Sequence, residues 1–135
     1  MNVLKSDKGE FTLNGAFMLI LVIGLVVFFT SIISIGVQKS KVDSIASDLT
    51  RYIEIRGKYD SSVTEELERL ETAAGMDLTM TIDADYYSSS EQTIQFGDAF
   101  TITLTYPTSF GMGGLLSVPI ELHGIGSGRS EQYWK

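Results

Sequence analysis

The sequence predicts an α+β protein: a long N-terminal transmembrane helix that runs on into a small domain with a second short helix and an antiparallel sheet of about four strands. Three observations predict it. No Asp, Glu, Lys or Arg occurs between Glu10 and Lys39. Apolar residues then recur at spacings of three and four as far as Ile53, and from Met76 the apolar period changes to two.

Within the uncharged run, residues 16–35 include fourteen Phe, Leu, Ile or Val. Twenty residues make a helix of about 30 Å, the thickness of a bilayer's hydrocarbon core. At about −0.3 to −0.6 kcal/mol each, the fourteen contribute about −4 to −8 kcal/mol to insertion. Gly24, Thr30, Ser31 and Ser34 dilute the run, and a helix satisfies such hydroxyls on its own carbonyls. The chain therefore divides into a polar N-terminal head or leader (1–10), a transmembrane helix (11–38) and an extracytoplasmic α+β domain (39–135). A cleaved secretory signal is the competing reading, with Lys5 and Lys8 as its basic region and Ser34-Ile35-Gly36 as its cleavage site. The apolar stretch is long for such a signal.

The last segment is large enough for one small core and too small for two. Residues 42–135 hold 15 Asp and Glu against 6 Lys and Arg. So acidic a surface repels phosphate backbones, which removes nucleic acid as a direct partner. Cysteine is absent and His123 is the lone histidine, so thiolate chemistry is excluded and a His-based metal site is not expected. Charge alone mildly favours the opposite of a cytoplasmic N-terminus: Lys5 and Lys8 precede the span, while Lys39, Lys41, Arg51 and Arg56 follow it. The short polar head and the Ser, Thr and Gly-rich tail favour an exported tail.

Beyond the membrane, Val42, Ile45, Leu49 and Ile53 form one apolar stripe, so the first helix continues over about residues 11–56 and ends at Gly57. Gly36, Ser40 and Ser44 form a small-residue row against which another helix can approach closely, although solvated small residues explain it as well. Ser62-Val63-Thr64-Glu65 fits a capping box, Val63, Leu67, Leu70 and Ala74 line one face of the second helix, and Gly75 closes it. Met76 to Ala84 alternates as a strand, and Tyr86 to Gln92 is a polar loop. Ile94 and Phe96 begin another strand, Gly97-Asp98 reads as a hairpin turn, and Phe100, Ile102, Leu104 and Tyr106 continue until Pro107 ends the run. After a flexible Phe110–Gly114 segment, a last strand points Val118, Ile120 and Leu122 inward.

Candidate chemistry is sparse. Asp83, Asp85 and Glu91 offer oxygens for a hard cation but miss the EF-hand template at Ser88 and Ile94, so a solvated acidic strand end is the plainer reading. His123 lacks any serine in a nucleophile-elbow context. Gly124-Ile125-Gly126-Ser127-Gly128 is not followed by a helix that would aim amides at a phosphate, and reads as a flexible strand exit. No catalytic, cofactor-binding or metal-binding residue is assigned. Tyr133 and Trp134 near the C-terminus are candidate anchors, on their own domain or on a neighbouring subunit.

Lys8-Gly9-Glu10-Phe11-Thr12-Leu13, directly before the apolar run, resembles the processing region of type IV pilin-like proteins. Glu10-Phe11 looks more like the pair that opens the apolar segment of TadE-like pseudopilins in tight-adherence systems. The tail Gly128-Arg129-Ser130-Glu131-Gln132-Tyr133-Trp134-Lys135 is similar to that of an uncharacterised Gram-positive family found with Tad-like and conjugative loci. Two departures stand out: in pilins Phe usually follows the cleaved Gly, where this chain has Glu10, and the usual fifth mature Glu is replaced by Asn14. The resemblance implies a leader-peptidase site at Gly9 and Glu10. It also implies a cytoplasmic N-terminus and partners comprising the bilayer, other pilin-like subunits, an assembly ATPase, a platform protein and a prepilin peptidase. Assembly contacts are expected at Glu10, Phe11, Gly36, Ser40, Ser44, Tyr133 and Trp134. The functional expectation is a non-enzymatic subunit of a surface appendage, secretion or conjugation apparatus. The rival is a single-pass accessory protein that binds a partner or ligand through its β domain.

Overall fold

The computed structural model describes residues 7–111 and 116–135, with the side chains of residues 7–11 outside that description. One helix, α1 (Asp7–Arg56), carries both the apolar run and the stripe that follows it. It is helical already at Asp7 and stops where expected, at a Gly57 with φ +63°. Large apolar side chains are exposed all along its first half, from Leu13 to Val37. A helix apolar on every side suits lipid and not water, so by length and composition α1 can cross a membrane. The diluting hydroxyls behave as expected: Thr30 Oγ1 donates to Val26 O at 2.9 Å and Ser31 Oγ to Val27 O at 3.0 Å.

The second half of α1 is the spine of the head. Val42, Ala46, Leu49 and Ile53 are fully buried, and Ile45 nearly so. A short helix, α2 (Ser61–Ala74), packs beside it through Val63 and Leu67. The cap differs from the expected box. Asp60 is the N-cap, its side chain accepting from Ser62 N at 3.0 Å, while Ser62 lies inside the first turn with its hydroxyl on the same carboxylate. An aspartate one position before the Ser pair outcompetes the serine because an ionised acceptor binds an amide more strongly than a hydroxyl does. Gly75 closes α2 in the left-handed conformation, φ +67°.

Three antiparallel strands follow in the order β1-β2-β3: β1 (Thr79–Ala84), β2 (Ala99–Gly111) and β3 (Ser117–Arg129). This is one strand fewer than expected among the described residues. The Ile94–Phe96 segment is no strand and Gly97-Asp98 no hairpin turn, because the backbone of Ile94 is already engaged elsewhere: its N–H donates to Gly57 O at 2.7 Å and its carbonyl accepts from Ser130 Oγ at 2.8 Å. Pro107 does not end β2. Strand β1 stops at Thr79 opposite Thr105, so beyond that point one edge of β2 is open and a residue without an N–H is tolerated. Residues 112–115, which include much of the expected flexible segment, lie outside the described residues.

The glycine run in β3 is the main departure. Gly124, Gly126 and Gly128 are not a strand exit; they lie within the strand, paired with Leu104, Ile102 and Phe100. They face α1. A Cβ on Gly126 would stand 1.9 Å from Thr50 Oγ1 and 2.8 Å from Ala46 O; on Gly124 it would stand 2.9 Å from Val42 O, and on Gly128 2.6 Å from Glu54 Oε1. Four helical residues advance about 6 Å and two strand residues about 6.8 Å, so a glycine at every second strand position keeps pace with successive helix turns. Helix and strand thus touch backbone to backbone. Phe100, Ile102 and Leu104 of β2 fill the core beside this seam, and the outer sheet face carries Thr101, Thr103 and Thr105.

Two outcomes are expected. Alanine at Gly126 destabilises the head by about 1–3 kcal/mol through overpacking, Gly124→Ala less, and Gly128→Ala least because only the flexible Glu54 carboxylate must give way; thermal unfolding of the detergent-solubilised protein would rank them. The hydrogen bond from Lys58, then that from the Ser62 hydroxyl, hold the Asp60 carboxyl down to about 2 from an ordinary 3.8. Its stabilising contribution is therefore complete above pH 4 and lost as pH falls through about 2, so Asp60→Asn should flatten the stability profile across that window.

Candidate functional site

The expected assembly residues do not converge on one site. Gly9, Glu10 and Phe11 lie in the first turns of α1, but their side chains fall outside the described residues. Gly36, Ser40 and Ser44 are exposed, and a Cβ added at Gly36 would meet nothing within 4 Å. Gly36 and Ser40 stand clear of the head. Ser44 borders a shallow depression with Lys41, Ile45, Leu70, Ala73 and Ala74, at the level where Lys41 Nζ reaches Ala74 O at 3.4 Å. The row thus lies along α1 from the apolar segment to the foot of α2.

Tyr133 and Trp134 part company. Trp134 docks on its own domain: Nε1 donates to Gly57 O at 3.0 Å and to Ile94 O at 3.1 Å. Gln95 clasps the Trp134 backbone from both sides, its Nε2 donating to Trp134 O at 2.9 Å and its Oε1 accepting from Trp134 N at 2.8 Å. Tyr133 is 65% exposed. The tail before them is tied down as well. Glu131 N donates to Glu54 O at 2.8 Å, Ser130 N to Asp98 O at 3.0 Å, and Arg51 pairs with Glu131 at 2.8 Å and with Glu54 at 3.2 Å. Residues 129–134 therefore form a strap from β3 back to the end of α1. Gly57 is its anchorage: a Cβ there would stand 2.4 Å from Gln132 Cβ and 2.8 Å from Ser130 Oγ.

The other candidates carry no assembled chemistry. His123 lies on the outer sheet face, its Nδ1 3.1 Å from Thr105 Oγ1 and its Nε2 3.9 Å from Glu121. Asp83 is the penultimate residue of β1, opposite Thr101, and Asp85 lies just past the strand's end at Ala84. Among the described residues no group of three His, Cys, Asp or Glu is arranged to hold a metal ion.

Sequence reasoning missed one feature. Past the end of β1, strands β2 and β3 continue as a two-stranded arm against the apolar half of α1: Thr108 Oγ1 donates to Gln38 Oε1 at 3.0 Å, Ser31 Oγ to Gly111 O at 2.9 Å, and the Phe110 ring meets Phe28 edge-on at 5.6 Å. The absence of charge between Asp98 and Glu121 was the available signal.

Residues 17–135 match the family DUF4320, described as a domain of unknown function. No curated protein and no solved structure matches the chain.

If the strap is held as described, Trp134→Phe, which keeps the ring and removes the N–H, should cost about 0.5–1.5 kcal/mol. Tyr133→Ala should stay within about 0.5 kcal/mol of the parent. Denaturant unfolding of the head followed by circular dichroism would check both.

Proposed function

The chain belongs to the DUF4320 family, and we propose for it a non-enzymatic role as a pilin-like or pseudopilin subunit of a surface appendage, secretion or conjugation apparatus. The observation that carries this reading is the unbroken α1, whose first half is apolar on every side and whose second half is the buried spine of an α+β head. A helix stable in lipid is equally stable in a bundle of like helices, so subunits can pass from bilayer to bundle without exposing the rod to water. The head is rigidly joined to that rod by the glycine seam and the C-terminal strap. Displacement of the rod then carries the head with it.

In this reading the N-terminus is cytoplasmic and the head extracytoplasmic, with Gly9 and Glu10 at the leader-peptidase site. An assembly ATPase and a platform protein act on the membrane-embedded form. Gly36 and Ser40 lie free on α1 where a neighbouring helix would approach, and Tyr133 is available to a neighbouring head.

The chain has no cysteine, so engineered cysteines report without background. Under mild oxidation in cells, Gly36→Cys and Ser40→Cys should each give crosslinked dimers, the protein should be recovered in the sheared surface fraction, and the N-terminus should begin at Glu10. A protein that stays monomeric, uncut and confined to membranes would instead be the accessory subunit that binds a partner through its β domain.

A further inference from the structure

We propose that the hydrocarbon core of the membrane holds only residues 11–28 of α1, and that residues 29–38, though free of charge, stand among the headgroups and in the water beyond them. The inference rests on α1 crossing a bilayer and is independent of filament assembly. Its starting point is an excess of length. The charge-free run from Phe11 to Gln38 has 28 residues, about 42 Å of helix against a hydrocarbon core of about 30 Å. Hydropathy does not say which end protrudes, and tilt alone can absorb the difference. The arm of β2 and β3 decides it.

On that arm, open backbone edges run down beside α1. Ser130 N donates to Asp98 O, so even-numbered residues of β3 bond β2, and the register is unbroken from Ala99 opposite Arg129 to Gly111 opposite Ser117. Antiparallel pairs alternate between bonded and non-bonded. Ser109 and its partner Pro119 are therefore a non-bonded pair, which turns the Ser109 N–H and carbonyl and the Pro119 carbonyl to the two outer edges. No strand covers either edge there: β1 stops at Thr79 opposite Thr105, and β3 is the last strand of the sheet. Both residues are exposed. Their level on α1 lies between Gln38, which Thr108 bonds, and Ser31, which bonds the Gly111 carbonyl. Hydrocarbon offers such groups no partner, and one left unpaired costs about as much as five to ten apolar side chains gain by insertion. Residues 29–38 have five Phe, Ile or Val to set against those three groups. The hydrocarbon therefore ends on the N-terminal side of Ser31.

The remaining span is sufficient. Residues 11–28 make about 27 Å of helix, within the range of single spans. They carry two polar side chains, Thr12 and Asn14, both near one end, whereas residues 29–38 carry four, Thr30, Ser31, Ser34 and Gln38. Glu10 marks the opposite boundary. The headgroup layer adds about 5–7 Å on each side, so Phe29, Ile32 and Ile33 lie within it. Lys39 then stands about 16 Å above the hydrocarbon, and the head is carried clear of the bilayer on a rigid neck.

The test places nitroxide at single cysteines along one side of α1 in the full chain, reconstituted in phosphatidylcholine vesicles. Met18→Cys, Val22→Cys, Val26→Cys, Phe29→Cys, Ile33→Cys and Val37→Cys recur at spacings of three and four, opposite the side that meets the arm, and all six positions are exposed. Ser109→Cys reads the arm, and Ile125→Cys the outer sheet face. Relaxation by oxygen relative to that by a water-soluble nickel chelate should peak at 18–22, fall several-fold by 33, and reach the value of 125 at both 37 and 109. A peak at 26 or beyond, with 33 still several-fold above 125, would return residues 29–38 to the hydrocarbon and overturn the proposal. Where protein shields 33 and 37 from both reagents, the label at 109 decides: nickel access supports the proposal, and oxygen dominance refutes it. A row from 18 to 26 indistinguishable from 125 would remove the span itself and the proposal with it.

Discussion

Everything in the head depends on the direct apposition of α1 and β3. A helix ordinarily rests on a sheet through interleaved side chains, but here Gly124, Gly126 and Gly128 remove them from the strand, and Val42, Ala46 and Thr50 press against bare backbone. Thr50 fits because its hydroxyl turns back to Ala46 O at 2.7 Å, leaving no polar group to satisfy across the seam. The strand cannot shift by one residue without presenting Ile125 or Ser127 to the helix. A seam of this kind therefore fixes register as well as distance.

The remaining contacts close the head around that seam. The strap from Arg129 to Trp134 donates to the carbonyls of Glu54, Gly57 and Ile94 at the far end of α1, where Ile94 N–H also donates to Gly57 O. The Thr108–Gln38 and Ser31–Gly111 bonds hold the arm at the near end. The helix is thus gripped at three levels, and its apolar half continues the helix that forms the core of the head.

Much of this was legible in the chain. The uncharged stretch from Phe11 to Gln38, the stripe from Val42 to Ile53, the stop at Gly57 and the helix from Val63 to Ala74 are local periodicities, and each became the expected element. The errors share a cause. Pro107 and Gly97-Asp98 were read by their local turn chemistry, yet strand ends are set by where a neighbouring strand stops and by which backbone groups are already taken. The glycine run was read as slack for the same reason: a missing side chain signals flexibility in isolation and close approach in a packed interface. Among the site residues, Gly36, Ser40 and Tyr133 are exposed, whereas Trp134 was assignable only once Gly57 and Ile94 were found beside it.

By itself the sequence determined that a greasy helix leads, that an acidic head follows, and where the two helices end, because hydropathy and capping act over one or two turns. Only the tertiary structure decided that β3 lies bare against α1, that the tail straps the helix end and that the arm descends to Phe28. Those contacts join residues about 80 positions apart, as Arg51 with Glu131 and Ser31 with Gly111. Over such distances along the chain, what matters is which surfaces can reach each other, and no local pattern of side chains encodes that.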